Sequence, residues 1–198
     1  MNLQESETKR NLLRAFAGES QARNRYTFAA SLAKKQNLTA LSDLFLFTAG
    51  QEKEHAEIFY GHLQPLRGGS ILIDAAYPID DDTTVASLLH ASHKNEMEEY
   101  GDIYPAFAKK AEEEGFTAIA ASFRMIAEIE RTHGERFARY AAFADGNQLF
   151  ASESECVWMC LNCGHVHTGK GAPAICPVCK HEQGYFIRLA DAPFTSLY

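Results

Sequence analysis

The sequence predicts a mainly α protein: a four-helix bundle with a long crossover between its second and third helices, followed by a small metal-binding β-ribbon domain. Three observations predict it. Four long stretches carry apolar residues at alternating steps of three and four, the spacing of one helix face. Each of those stretches also places a glutamate in the middle of its apolar face. Near the C-terminus, four of the five cysteines fall into two C-x-x-C pairs.

The first helix is expected over about residues 6–36, with Ser6 or Thr8 as its cap and Asn37 at its end. Leu12, Ala15, Glu19, Ala22, Tyr26 and Ala29 line its apolar face. The second is expected over about residues 39–63, with Phe45, Thr48, Glu52, His55, Phe59 and His62 on one face. Pro65, Gly68, Gly69 and Pro78 then interrupt helicity, and the apolar Ile71, Leu72 and Ile73 between them should pack on the bundle as part of the crossover. A connection of this length makes the second and third helices parallel, the topology of a ferritin-like four-helix bundle. Asp80, Asp81, Asp82 and Thr83 supply acidic and capping residues for a third helix that ends near Gly115 and shows Leu89, Ser92, Glu96, Glu99 and Ile103 on one face. Pro105 inside it predicts a kink or bulge. The fourth runs from about Phe116 to Ala144, with Phe123, Ile126, Glu130, His133, Phe137 and Tyr140 on one face, and Asp145, Gly146 and Asn147 stop it.

The glutamates carry the functional argument. A lone buried carboxylate costs several kcal/mol or more and usually protonates instead of staying charged. Here Glu19, Glu52, Glu96, Glu99 and Glu130, with His55 and His133, break the apolar pattern on all four helices at matching depth. Two Glu-x-x-His pairs with single glutamates from the other helices is the ligand pattern known for di-iron carboxylate bundles. Five glutamates bring about five negative charges and two divalent ions return about four. A carboxylate-rich set with only two imidazoles suits iron or manganese better than thiolate-seeking metals. Glu19 precedes Glu52 by 33 positions and Glu96 precedes Glu130 by 34, so each half of the bundle is a helical hairpin and the two are related by a pseudo-two-fold axis through the site.

Residues 1–147 are therefore read as the bundle, 148–155 as a polar linker, and 156–198 as a second domain. Cys160 and Cys163, with Cys176 and Cys179, form two knuckles that close a tetrahedral four-sulfur site, for which iron and zinc both qualify. Cys156 falls outside the pattern and is read as a spare small residue. Clustered cysteines indicate a metal site in a reducing cytoplasm, not a disulfide framework. The net charge of −7 argues against nucleic acid as a partner. No run approaches the roughly 18 apolar residues of a membrane span, and the first residues lack the pattern of a signal peptide.

Taken together, these motifs resemble the rubrerythrin family. Trp158, Cys160, Cys163–Gly164–His165–Val166–His167, Ala172–Pro173, Cys176–Pro177 and Cys179 look like its rubredoxin-like domain. Gly18–Glu19–Ser20 through Tyr26, and Glu96 through Glu99–Tyr100 to Tyr104–Pro105, look like its di-iron bundle. The resemblance implies a peroxidase that reduces hydrogen peroxide, with a ferroxidase or iron-handling protein as the alternative. It implies two irons held by Glu19, Glu52, Glu96 and Glu130, with Glu52 and Glu130 bridging, and His133 on one iron in both redox states. Glu99 and His55 would exchange on the other iron, a carboxylate suiting the harder ferric ion and an imidazole the ferrous one. Tyr26 and Tyr104 would hydrogen-bond ligand carboxylates, and a tyrosine or a released glutamate would supply protons. The four cysteines would hold a single iron that relays electrons, with zinc a possible substitute in either site. Partners would be a rubredoxin or an NAD(P)H-dependent reductase, and the assembly a homodimer or larger. Tyr185 stands where the family often has histidine. His62, His90 and His93 lie outside the motifs, with His93 expected to be solvated.

Overall fold

The computed structural model describes residues 2–81 and 83–193. Its helices are α1 (Thr8–Lys35), α2 (Thr39–His62), α3 (Val85–Glu98), α4 (Tyr104–Glu113) and α5 (Thr117–Asp145). The small domain adds strands β1 (Ala151–Cys160), β2 (Val166–Gly171) and β3 (Phe186–Arg188). α1 packs along α2, and α3 and α4 together pack along α5. The crossover passes over one side of the bundle, and among its described residues there is no regular secondary structure after residue 66.

The helix ends follow local chemistry with some exceptions. Asn37 and Asn147 end α1 and α5 in the left-handed region, at φ 58° and 54°. At the start of α1 the Ser6 hydroxyl accepts the Lys9 amide at 3.2 Å, as expected of a cap. The amides of Glu7 and Thr8 bond instead to the Glu114 carboxylate, at 2.9 and 2.8 Å. That side chain comes from the far end of α4, over a hundred positions away. α3 is capped by Thr84, not Thr83. Its hydroxyl accepts the Ser87 amide at 3.0 Å, and the Ser87 hydroxyl accepts the Thr84 amide. Of the acidic run before it, Asp82 lies outside the described residues, and Asp80 is engaged elsewhere, paired with Arg25 at 2.6 Å.

α3 and α4 form the single rod expected as the third helix, interrupted by a π-helical turn over Glu99–Ile103. Pro105 cannot donate a backbone bond, and the wider turn directly before it accommodates that loss. Within the crossover, Ile71 and Ile73 are half-buried while Leu72 is 90% exposed, so only alternate residues of the apolar triplet pack on the bundle.

Two apolar layers sandwich the glutamates. On one side lie Tyr26, Phe45, Leu89 and Phe137, and on the other Leu12, Phe59, Tyr104 and Phe123. The small domain is a three-stranded antiparallel sheet, ordered β2-β1-β3, around Trp158 and Phe186. β1 already begins at Ala151, which pairs with Gly171, so most of the stretch read as linker is strand. The sheet is seated on the end of its own bundle. Ile187 and Ala192 join the core with Tyr26 and Phe45, Asp191 pairs with Arg139 at 2.9 Å, and Arg188 lies over the Phe143 ring. Among the described residues no helix is long and apolar enough to cross a membrane.

Candidate metal centres

The helical steps bring the mid-length acids to one point. Two groups form, Glu19–Glu52–His55–Glu130 and Glu52–Glu96–Glu130–His133, each with its ligand atoms within 4.8 Å of one another. Glu52 and Glu130 belong to both. Glu52 turns Oε2 to His55 Nδ1 at 3.2 Å and Oε1 to His133 Nδ1 at 3.0 Å. Glu130 does the same, with Oε1 at 3.0 Å from His55 and Oε2 at 2.9 Å from His133. Each of the two carboxylates thus offers one oxygen to either group. Glu19 and Glu96 complete one group each, and all four glutamates are essentially inaccessible to solvent.

These side chains suit metal ions better than they suit one another. Among the described residues, Glu19 Oε2, Glu52 Oε1, Glu96 Oε2, both Glu130 oxygens and His133 Nδ1 are buried without a hydrogen-bond partner. Unpaired buried acceptors are costly, and so many at one point are explained by a shared cation. Four carboxylates and two divalent ions also leave the centre near neutrality. Without metal, protons must compensate. Burial would lower both imidazoles, but the close approach of the surrounding carboxylates outweighs it and raises His55 to about 10 and His133 to about 11.

Tyr26 donates to Glu96 and Tyr104 to Glu19. Glu99 is not drawn into either group. From the π-helical turn it lines a cavity of about 300 Å³ with Arg14, Gly18, Arg25, Tyr77 and Tyr104. Desolvation pushes its carboxyl well above the usual range, and the charges of Glu19, Glu96 and Glu52 push it further. Tyr77, from the crossover, is part of this wall and donates to the Arg14 carbonyl at 2.8 Å. Nothing in its local sequence sets it apart. His93 is half-buried, not solvated, and its Nδ1 lies 2.9 Å from the Gly134 carbonyl. Gln51 and Arg136, which lie behind His133, were not foreseen either. The available signal was that Arg136 follows His133 by three positions on the same helix.

In the small domain the four sulfurs also lie within 4.8 Å of one another. The two knuckles turn alike. Gly164 and Lys180 each donate a backbone bond to the first cysteine's carbonyl, at 2.8 and 3.0 Å, and each adopts positive φ. The His181 amide is the main cause that draws the Cys179 thiol down to about 5, whereas burial pushes Cys160 up to about 12. Cys156 stands outside the cluster, as expected.

A ferritin-like bundle with a carboxylate–histidine dimetal centre, joined to a four-cysteine domain, defines a class of non-haem iron proteins. The comparisons agree. The family model described as Rubrerythrin matches residues 10–141, and the one described as rubrerythrin, rubredoxin-like domain, matches residues 158–187. The rubrerythrin of Porphyromonas gingivalis is 48% identical over 181 residues, covering 91% of this chain and 89% of that protein. The rubrerythrin of Nitratidesulfovibrio vulgaris is 43% identical over 185 residues, covering 93% and 95%. Among solved structures, the fully reduced, all-ferrous state of nigerythrin aligns with a TM-score of 0.63 at 29% identity, covering 91% of this chain and 86% of that one. A bacterioferritin of Desulfovibrio desulfuricans, at 20% identity and a TM-score of 0.64 over 72% of this chain and 82% of its own, shares the fold of the bundle. The chain belongs to the rubrerythrin family. Its cofactors are accordingly iron: a pair in the bundle and a single ion among the cysteines.

Proposed function

We propose that this protein is a peroxidase that reduces hydrogen peroxide to water in defence against oxidative stress, with its four-cysteine iron as a built-in electron relay. The observation that carries the reading is a pair of metal-binding groups sharing Glu52 and Glu130, next to a small cavity walled by Glu99, in a chain that also holds a four-sulfur site. Reducing one hydrogen peroxide to two waters consumes two electrons and two protons. Ferrous ions bound at the two groups would supply both electrons and polarise the O–O bond.

The chain's own residues supply the rest. Glu19, Glu52, Glu96, Glu130 and His133 would hold the metals in both redox states. His55 and Glu99 would exchange on one of them as the centre cycles. Burial and the neighbouring carboxylates raise the Glu99 carboxyl well above its ordinary range, which suits it to hold and release a proton at the cavity wall. Tyr26 and Tyr104 keep Glu96 and Glu19 oriented and remain protonated, because burial raises both phenols well above their ordinary range.

Electrons would come from a rubredoxin or an NAD(P)H-dependent reductase and cross between the subunits of a homodimer or larger assembly. The cysteine site sits by the α1–α2 turn, where Gly184 abuts Asn37. Asn37 and Glu52 are 15 positions apart, about 22 Å along α2 at ~1.5 Å per residue. That span favours a partner's cysteine site, docked nearer the bundle centre, over the chain's own. The test is anaerobic reduction followed by hydrogen peroxide or oxygen in stopped flow. Peroxide should reoxidise the ferrous protein much faster. Faster reoxidation by oxygen would instead assign a ferroxidase or iron-handling role.

A further inference from the structure

The two Glu-x-x-His pairs are equivalent under the internal repeat, but their surroundings are not. Glu52 and His55 each precede their counterparts, Glu130 and His133, by 78 positions. The two imidazoles stack with centroids 5.7 Å apart, and both turn Nδ1 to the shared carboxylates. Behind His133, Nε2 lies 3.1 Å from Gln51 Oε1. Arg136 Nη1 lies 3.4 Å from that oxygen and 3.1 Å from Thr48 Oγ1, and the Thr48 hydroxyl donates to the Leu44 carbonyl. The guanidinium also covers the Phe47 ring, 5.2 Å from its centroid. Arg136 can only donate, so the Gln51 atom facing it is the amide oxygen. That oxygen accepts a hydrogen from His133 Nε2 and leaves Nδ1 as the ligating nitrogen.

Among the described residues, His55 Nε2 has no such partner. The same 78-position step that relates the histidines carries Thr48 onto Ile126, Gln51 onto Ile129 and, in reverse, Arg136 onto Ile58. At the three positions that the repeat makes equivalent to the polar residues behind His133, the sequence has isoleucine. The side chain of His133 has 0% exposure and that of His55 keeps 6%.

We propose that Gln51, held by Arg136 and Thr48, is a positioning residue that makes His133 the permanent imidazole of the centre, and that the isoleucines at 58, 126 and 129 leave His55 free to detach. The inference rests on the reading of both histidines as metal ligands. It assigns the asymmetry of the centre to hydrogen bonds one layer outside the ligands, where such partners fix the tautomer and strengthen binding.

The test uses the full-length protein loaded with Zn²⁺, which is diamagnetic, and labelled with ¹⁵N-histidine. In the wild type, both imidazoles should show zinc at Nδ1, with a slowly exchanging ring N–H on His133 only. Gln51→Leu should lose that slow proton and weaken one of the two bundle zinc ions about 10–100-fold in chelator competition, leaving the other and the cysteine-bound zinc unchanged. Gln51→Glu keeps an acceptor and should retain the slow proton. Ile129→Gln, at a partly exposed position, should give His55 a slow proton as well. The proposal is overturned if Gln51→Leu keeps the slow proton and wild-type affinity, or if both bundle ions weaken equally. If zinc leaves the wild-type His133 Nδ1 resonance unshifted, the ligand reading beneath the proposal fails, whatever Gln51→Leu does.

Discussion

The Tyr104 hydroxyl donates to the Glu19 carboxylate across 85 positions of chain, tying α4 to α1 at the depth of the metal groups. Tyr26 makes the reciprocal link to Glu96 across 70 positions. Each bond joins one hairpin of the bundle to the other and fixes one carboxylate oxygen, leaving the second for metal.

Tyr104→Phe removes the donor and keeps the ring. Glu19 then has a buried acceptor without a partner, which costs about 1–3 kcal/mol. Urea unfolding of the metal-free variant should register that loss. In the loaded protein, iron at the Glu19 position should bind about 10–100-fold more weakly. Unchanged iron affinity would show that Glu19 is not oriented through this bond.

The metal-free centre should also give the protein an unusual pH profile. Burial opposes the charged form of both imidazoles. The nearby carboxylates of Glu19 and Glu52 nevertheless hold His55 at about 10, and those of Glu130, Glu52 and Glu96 hold His133 at about 11. Folded protein therefore keeps protons that the unfolded chain releases above about 6.5. This stabilisation is complete below that pH and is lost as pH rises through 10 to 11. Burial raises Glu19 to about 8, so stability falls further as pH rises from about 4.5 to 8. Glu52 behaves oppositely. Burial would raise it, but the imidazoles of His133 and His55 beside it draw it down to about 2, so its contribution is present above about 4.5 and is lost as pH falls toward 2. Metal-free protein should melt at a higher temperature near about pH 5.5 than near about pH 9, and metal-loaded protein should reverse that order, because metal replaces the protons. Calorimetry of both forms decides it. A metal-free form that gains stability up to about pH 9 would rule out a protonated cluster.

The bundle and its acids were legible because a charged side chain on an apolar stripe is a large energetic violation, and four at one depth admit few explanations. The cysteine site was legible because paired C-x-x-C spacing dictates sulfur geometry. What stayed hidden depends on tertiary contact. Glu114 caps α1 from the far end of α4, and no local pattern announces that. Residues 151–155 read as linker because they are polar and mostly exposed, so their strand lacks apolar alternation and exists through pairing with β2. Pro105 signalled a disturbance of the third helix, and the π-helical turn before it is the form that disturbance takes. Gln51 hid in plain view, since an amide beside a ligand looks like any surface glutamine until the facing helix is in place.

The four-cysteine site should be separable from the bundle centre. Cys160 is fully buried in the small-domain core, and Cys160→Ser removes a soft thiolate from a tetrahedral set. The variant should lose the single iron and its colour while metal analysis still finds the bundle pair. Peroxide reduction by pre-reduced protein should persist for one turnover, and steady-state turnover should fall. An unchanged steady-state rate would remove the relay role from the small domain.

Gly184 is the point where the small domain meets the α1–α2 turn. A Cβ built there would overlap the Asn37 carbonyl oxygen and lie 2.7 Å from its carbonyl carbon, and backbone atoms cannot swing aside. Gly184→Ala should therefore lift the sheet off the bundle end and loosen the contacts of Ile187, Asp191 and Arg188 behind it. Overpacking of this kind costs about 1–3 kcal/mol. The bundle metals lie far along α2 from this turn and should be retained, as should the cysteine-bound iron, whose knuckles do not touch the turn through Gly184. The expected signature is early proteolytic cleavage between the two domains with both metal sites still filled. Equal protease resistance in the variant and the wild type would show that the domain interface does not depend on this close approach.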